Sequence, residues 1–353
     1  MPDPITFICD RRFHRRITLD TQHGPLNVSY ADIGCATGPT LLYLPGMFAS
    51  RYLGIPMHLM AERAGVRLVV VDRPGMGAST NVEPGDRIAV WLDMLPRLLA
   101  HLNIQRVNLV SHSAGAIFLL NTWARYRELI APVVTLLAPW VDPAHSRVVP
   151  MQLAQYVPTK AFAIWHQIPR FFVTQASPVF ASSGALVRKM SMSSGLSGGA
   201  SQDESDRTFL DANYRRIERD YGVPVKESAE LSELAVQYMF SEETVGGNGE
   251  ALQCLRKTKG SDWGACEDYA GCARTLGQQE REGGGRGSVK LRVYHAETDS
   301  MVGKKGQRYV DECWNLGEGY DGIEYTARMV KGTDHDTVSQ AVEVWEEIFA
   351  SVQ

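Results

Sequence analysis

Five short apolar runs, each closed by a turn signal, constrain this chain most: "TLLYLPG" (Thr40–Gly46), "VRLVVVDRPG" (Val66–Gly75), "VNLVSHS" (Val107–Ser113), "VVTLLAPW" (Val133–Trp140) and "VKLRVYHAE" (Val289–Glu297). A strand with one wet face alternates polar and apolar residues; these runs do not, so they read as strands covered on both faces, as in a parallel sheet. Helical patterns separate them, such as "AVWLDMLPRLLAHLN" and "GAIFLLNTWARYREL". The predicted fold class is therefore α/β, a mostly parallel, doubly wound sheet. The first 35 residues differ: "ITFICD", "RRITLDT" and "LNVSYADIG" alternate and predict antiparallel strands at one edge.

The rhythm stops between about Val141 and Gly287. That stretch carries helical patterns instead, "PTKAFAIWHQIPRFFVTQ", "DRTFLDANYRRIERDYG", "ESAELSELAVQYMF" and "EALQCLRKTKG". Ser- and Gly-rich segments at Ser191–Ser205 and Glu280–Ser288 predict flexible loops between them. Strand and helix then alternate again through "IEYTARMVKG" and "TVSQAVEVWEEIFASV". The expected organisation is a core of residues 1–140 and 288–353, with a large helical lid, residues 141–287, inserted between two strands. A length of 353 residues suits one large domain bearing an insertion.

Thirty-six basic against forty acidic residues argue against a nucleic-acid partner, which needs a basic face. No run reaches the roughly 18 apolar residues of a membrane span, and "MPDPITFICDRR" lacks a signal-like apolar run. A cytoplasmic location is expected. The six cysteines form no CxxC pair, so no metal is expected. Cys266 and Cys272 are the one close pair, able to bridge only where the compartment oxidises. "GMGAST" (Gly75–Thr80) has the wrong spacing for a dinucleotide loop and reads as a turn after a strand, with Asp72 structural; no cofactor is expected.

The stretch "VNLVSHSAGAIFLL" (Val107–Leu120) begins as a strand and ends as a helix. A sharp turn there lifts its middle residue above the sheet edge, beside the free N–H groups of the new helix. Small residues must flank that position two places each way, and Ser111 and Gly115 do so around Ser113. Ser113 is the candidate nucleophile and Ser111 a structural strand residue. A hydroxyl attacks only when a base takes its proton.

With "LPGM" after the third strand, "DRPGMGAS" after the fourth, and "ETDSMV" and "GTDHDT" near the end, the chain resembles the α/β-hydrolase superfamily, specifically its lid-bearing serine hydrolases of fungal type, natural-product enzymes among them. The likeness covers about Leu26–Trp140 and Val289–Val352. That family orders its triad nucleophile, acid, histidine, and Ser113, Asp299 and His335 follow the order. Asp299 ends a strand and His335 follows one, so both belong at the carboxyl edge of the sheet, where ligands bind in open α/β folds. Asp142 is the alternative acid, because some members carry it there. Ala114 offers an oxyanion N–H at a helix start, and the resemblance assigns the second donor to Met47. Two positions depart from the usual pattern: Ser111 stands where Gly is common, and Pro45-Gly46 replaces His-Gly.

Phe48, His112, Trp140 and Trp165 are candidate pocket residues, although His112 can equally pack against the sheet. The lid contributes Phe162, Ile164, Trp165, Phe171, Phe172 and Val173 in one short span, which implies a mostly apolar small-molecule substrate. The expectation is a hydrolase of a medium-sized apolar ester or thioester, acting as a monomer or homodimer. The alternatives are an acyltransferase or cyclase with the same triad, or an acid–base pair making or breaking C–C bonds in a natural product. A binder on this fold would usually have lost a triad member.

Overall fold

The computed structural model describes residues 3–164, 166–167, 199–258, 263–283, 288–315 and 322–353, with the backbone alone for residues 164 and 199–207. Its strands are β1 (Arg15–Thr21), β2 (Gly24–Gly34), β3 (Thr40–Leu44), β4 (Arg67–Val71), β5 (Val107–His112), β6 (Ile130–Leu137), β7 (Val289–Thr298) and β8 (Ile323–Asp334). They form one eight-stranded sheet in the order β1-β2-β4-β3-β5-β6-β7-β8. β1 and β2 are antiparallel to their neighbours, and β3 to β8 are parallel. Each of the five apolar runs carries one of the parallel strands, as their composition predicts.

The core helices are α1 (Pro4–Ile8), α2 (His58–Arg63), α3 (Arg87–His101) and α4 (Gly115–Arg125). Between β6 and β7 lie α5 (Pro143–Ser146), α6 (Val149–Ala154), α7 (Gly199–Tyr221), α8 (Val225–Ser241), α9 (Gly246–Cys254) and α10 (Tyr269–Glu282). The chain finishes with α11 (Gly303–Trp314) and α12 (Val342–Ser351). No strand lies between β6 and β7 among the described residues, and no described helix is long and apolar enough to cross a membrane.

Successive strand residues point to opposite faces, which builds two cores. Leu42, Leu44, Val69, Val71 and Leu109 meet α3, α4, α10 and α11 on one side. Leu41, Tyr43, Leu68, Val70 and Val110 meet α1, α2, α8 and α12 on the other. Insertion helices thus take part in both: Leu276 of α10 and Phe240 of α8 are buried core residues. A small third cluster, Phe162, Ala251 and Leu255, lies within the insertion and touches the body through Met47.

Two local expectations fail. "ITFICD" is a helix, α1, not a strand: the Asp3 carboxylate accepts from the Ile5 and Thr6 amides, and Pro4 occupies the first turn. This capping outweighs the β-branched content of five residues. The loop expected over Ser191–Ser205 gives way to α7 from Gly199 onward. Extending a helix one residue backward costs far less than starting one.

Candidate active site

Register brings the site together. Leu44 pairs with Ser111, His112 with Leu137, and Thr298 with Asp334. The segments leaving β3, β5, β7 and β8 therefore emerge side by side at the carboxyl edge. The strand order reverses around β3, which makes this a topological switch point.

At the end of β5 the backbone of Ser113 has φ +48°, a left-handed value that costs a side-chain-bearing residue on the order of 1–3 kcal/mol. The surroundings impose it. The Ser113 N–H donates to the Leu137 carbonyl at 3.0 Å, and the Ser113 carbonyl accepts from Ala116 at 3.0 Å and Trp140 at 3.2 Å. Gly115 starts α4 hard against β3: a Cβ there would stand 2.1 Å from the Leu44 carbonyl oxygen and 2.7 Å from that of Pro45. Small residues are thus a packing demand at this turn.

The Ser113 Oγ lies 2.8 Å from His335 Nε2. On the far side of the ring, Nδ1 lies 2.9 and 3.0 Å from the two carboxylate oxygens of Asp299. Both the imidazole and the carboxylate are wholly buried. A carboxylate only accepts, so Nδ1 carries a hydrogen; in the neutral ring Nε2 is then free to accept from the Ser113 hydroxyl. Burial would raise the Asp299 carboxyl, but His335 and the Met301 and Val302 amides, which donate to it, hold it below the usual range. Burial would likewise lower His335, but the Asp299 carboxylate, with Asp336 and Asp334 nearby, pushes it up to about 9. The Asp334 side chain accepts from the Asp336 and Thr337 amides and the Thr337 hydroxyl, folding the loop that carries His335.

His112 is buried directly under that loop, its ring 5.2 Å from the His335 ring. Burial, then the His335 charge, lowers it to about 4, so it is neutral. Its Nε2 stands 2.7 Å from the His335 carbonyl oxygen, an acceptor only, and must donate to it. Asp142 lies apart from the histidine: it accepts from the Ala144 amide at 2.8 Å and pairs with Arg256 at 2.9 Å. The N–H groups of Ala114 and Met47 have no protein acceptor among the described residues. Phe48 has φ +63° and packs its ring on Gly247, where a Cβ would come within 2.0 Å. Trp140 is buried and donates to the Cys254 carbonyl at 3.0 Å, while Trp165 lies outside the described residues. No three His, Cys, Asp or Glu side chains converge as metal ligands among the described residues.

Sequence reasoning passes over three residues beneath this edge. Arg73, Arg87 and Glu250 are completely buried and ion-paired. The single local signal is an arginine directly after Asp72, the first residue beyond β4.

A family profile described as the alpha/beta hydrolase fold matches residues 39–184. No curated protein matches. Among solved structures, a carboxylesterase of Nitrososphaera gargenis is similar over 95% of this chain and 97% of its own, at TM-score 0.55 and 14% identity. The enol-lactonase of Burkholderia xenovorans LB400 is similar over 95% and 99%, at 0.54 and 13%. The thioesterase domain of the curacin biosynthetic pathway is similar over 96% and 99%, at 0.50 and 11%.

Proposed function

Because residues 39–184 match a family profile of the alpha/beta hydrolase fold and the chain shares its fold with a known carboxylesterase, we propose that it is a serine hydrolase of the α/β-hydrolase superfamily, acting on a medium-sized, largely apolar ester or thioester. The unbroken line from Ser113 through His335 to Asp299 carries this reading. His335 takes the Ser113 proton as Oγ adds to the substrate carbonyl, and the negative oxygen is met by the N–H groups of Ala114 and Met47. His335 returns the proton to the departing alcohol or thiol, leaving an acyl group on Ser113. A water molecule, deprotonated in turn by His335, releases the acid. Asp299 is the triad acid; Asp142, engaged with Arg256, is not. His112, through the His335 carbonyl, fixes the loop that carries the base.

The apolar preference is supported by Met47, whose side chain meets Phe162, Ala251 and Leu255 beside its own oxyanion N–H. In this reading the helices between β6 and β7, residues 141–287, cover the site as a lid, and the core is residues 1–140 and 288–353. The test is labelling by a fluorophosphonate, with nitrophenyl esters of graded chain length as substrates. The parent is expected to label and turn over medium chains. Ser113→Ala and His335→Ala are expected to do neither. A folded parent that fails to label sinks the proposal.

A further inference from the structure

The loop that carries Met47 is held from below by a buried cation. Arg73 lies two residues beyond the end of β4. Its Nη1 donates to the Pro45 carbonyl at 2.5 Å and its Nη2 to the Gly46 carbonyl at 2.7 Å. The same guanidinium grips Glu250 of α9 through Nε at 2.6 Å and Nη2 at 2.9 Å. Arg87 donates to the same carboxylate at 2.8 Å and to the Pro74 carbonyl at 2.8 Å. The Phe118 ring of α4 lies under both guanidinium groups, at 5.3 and 6.0 Å. Burial would raise the Glu250 carboxyl, but the two arginines hold it below its usual range. An exposed cation needs none of these partners; here every charge is fixed by geometry.

We propose that Arg73 is a positioning residue for the oxyanion loop, and that Glu250, from the inserted segment, fixes Arg73 in that role. The peptide joining Gly46 to Met47 is planar and trans, so its C=O and N–H point opposite ways. Drawing the Gly46 oxygen down onto Arg73 turns the Met47 N–H to the other side. The Gly46 Cα lies close to the end of β5: a Cβ on it would stand 2.8 Å from His112 Nδ1 and 3.4 Å from the Ser113 Cβ. The Ala49 amide also donates to the Gly46 oxygen at 3.1 Å, but that bond is neutral. A charge-assisted bond polarises the peptide as well as orienting it, which makes the N–H a better donor to a developing negative charge. α9 cannot shift without the loop. The Gly246 N–H donates to the Gly75 carbonyl at 2.8 Å, and Gly247 lies against the Phe48 ring. The insertion thus completes the oxyanion hole that the core begins.

This inference rests on the hydrolase reading, and the experiment separates the two. Arg73→Lys and Glu250→Gln are compared with the parent by kcat per fluorophosphonate-titrated site, by KM, and by affinity for an acyl trifluoromethyl ketone, whose adduct places an oxyanion in the hole. Lysine keeps the charge opposite Glu250 but cannot fork across two carbonyls and a carboxylate. Losing a donor outright costs about 100- to 1000-fold, and tilting one is expected to cost about 10- to 100-fold in kcat. KM is expected within twofold, with ketone affinity falling by the same factor as kcat. Loss of fold alone would lower the titratable fraction and leave kcat per site unchanged. Arg73→Lys decides the matter where Glu250→Gln does not fold. A kcat per site and ketone affinity within threefold of the parent in the folded variant overturn the proposal. A parent that neither labels nor hydrolyses overturns the hydrolase reading instead.

Discussion

Replacing Asp299 by Asn is expected to lower the rate by a factor that itself depends on pH. Only neutral His335 can take the Ser113 proton. Its pKa is raised to about 9 by Asp299, so the active form is lost as pH falls through that value. At pH 7 about one molecule in a hundred then carries the neutral ring. The parent's kcat/KM should climb about tenfold per pH unit below that value and level off above it. In the Asp299→Asn variant the amide oxygen can keep the Met301 and Val302 N–H groups now bound to Asp299 Oδ1. The NH2 group then faces His335 Nδ1, which must accept, and the ring hydrogen moves to Nε2, where it points at Ser113. The tautomer is wrong for proton transfer, a defect worth about 10,000-fold in triads of this kind. The rising limb should also fall to the ordinary histidine range or below. The parent thus exceeds the variant by about 10,000-fold on the alkaline plateau but only by about 100-fold at neutral pH, where protonation already holds the parent back. The assay is kcat/KM on a nitrophenyl ester across about pH 5.5 to 10, with buffer hydrolysis subtracted. A parent limb at or below the ordinary histidine value, or a ratio that does not change with pH, refutes the reasoning.

Asp142→Asn should leave kcat/KM within about threefold while costing about 0.5–1 kcal/mol in thermal unfolding, because this partly exposed carboxylate caps α5 and pairs with Arg256; a loss resembling that of Asp299→Asn would make it the acid. Gly115→Ala places a methyl 2.1 Å from the Leu44 carbonyl, so strand and helix must part; about 1–3 kcal/mol of stability and most of the labelling rate should go, and labelling at the parent's rate would mean the turn tolerates a side chain. Ser111→Ala removes a buried hydroxyl that has no partner among the described residues and should raise stability by about 1 kcal/mol with turnover unchanged, which a thermal melt and an ester assay check together. Lifting α9 would leave Arg73 and Arg87 as unpaired buried charges at about 3–5 kcal/mol, so the Gly246–Cys254 amides should exchange hydrogen as slowly as those of β4; rapid exchange there would show the clamp opens.

The sheet was legible because its signal is local and repeated. A strand covered on both faces needs an unbroken apolar run, and Leu68–Val71 or Leu41–Leu44 cannot be anything wet. The helices between β6 and β7 were legible as a class but not in place. Nothing in their periodicity says that Leu276 joins the same core as Val69, or Phe240 the core on the opposite face. The two misread segments, Pro4–Ile8 and the start of α7, are short or terminal, where one capping carboxylate or the momentum of an adjoining helix outweighs composition.

The candidate site divides along the same line. Ser113 announces itself, since the turn's steric demands fall on residues two positions away. Asp299 and His335 could be found only from their order along the chain and their place after strands. The clamp beneath Met47 had no such handle: Arg73 and Glu250 are 177 positions apart, and each alone resembles an ordinary surface charge. What makes them unlike one is burial, and burial is a property of the assembled fold. Two arginines and one carboxylate in a dry interior add little stability, since apolar residues of equal volume often do as well or better. Their use is in geometry. A guanidinium fork can hold two consecutive carbonyls and a carboxylate in one plane, which no apolar side chain can. A loop that must present an N–H to a charge existing only in the transition state needs that kind of fixed backing. On the proposed reading, supplying its carboxylate from the insertion makes the hole complete only when core and insertion are joined.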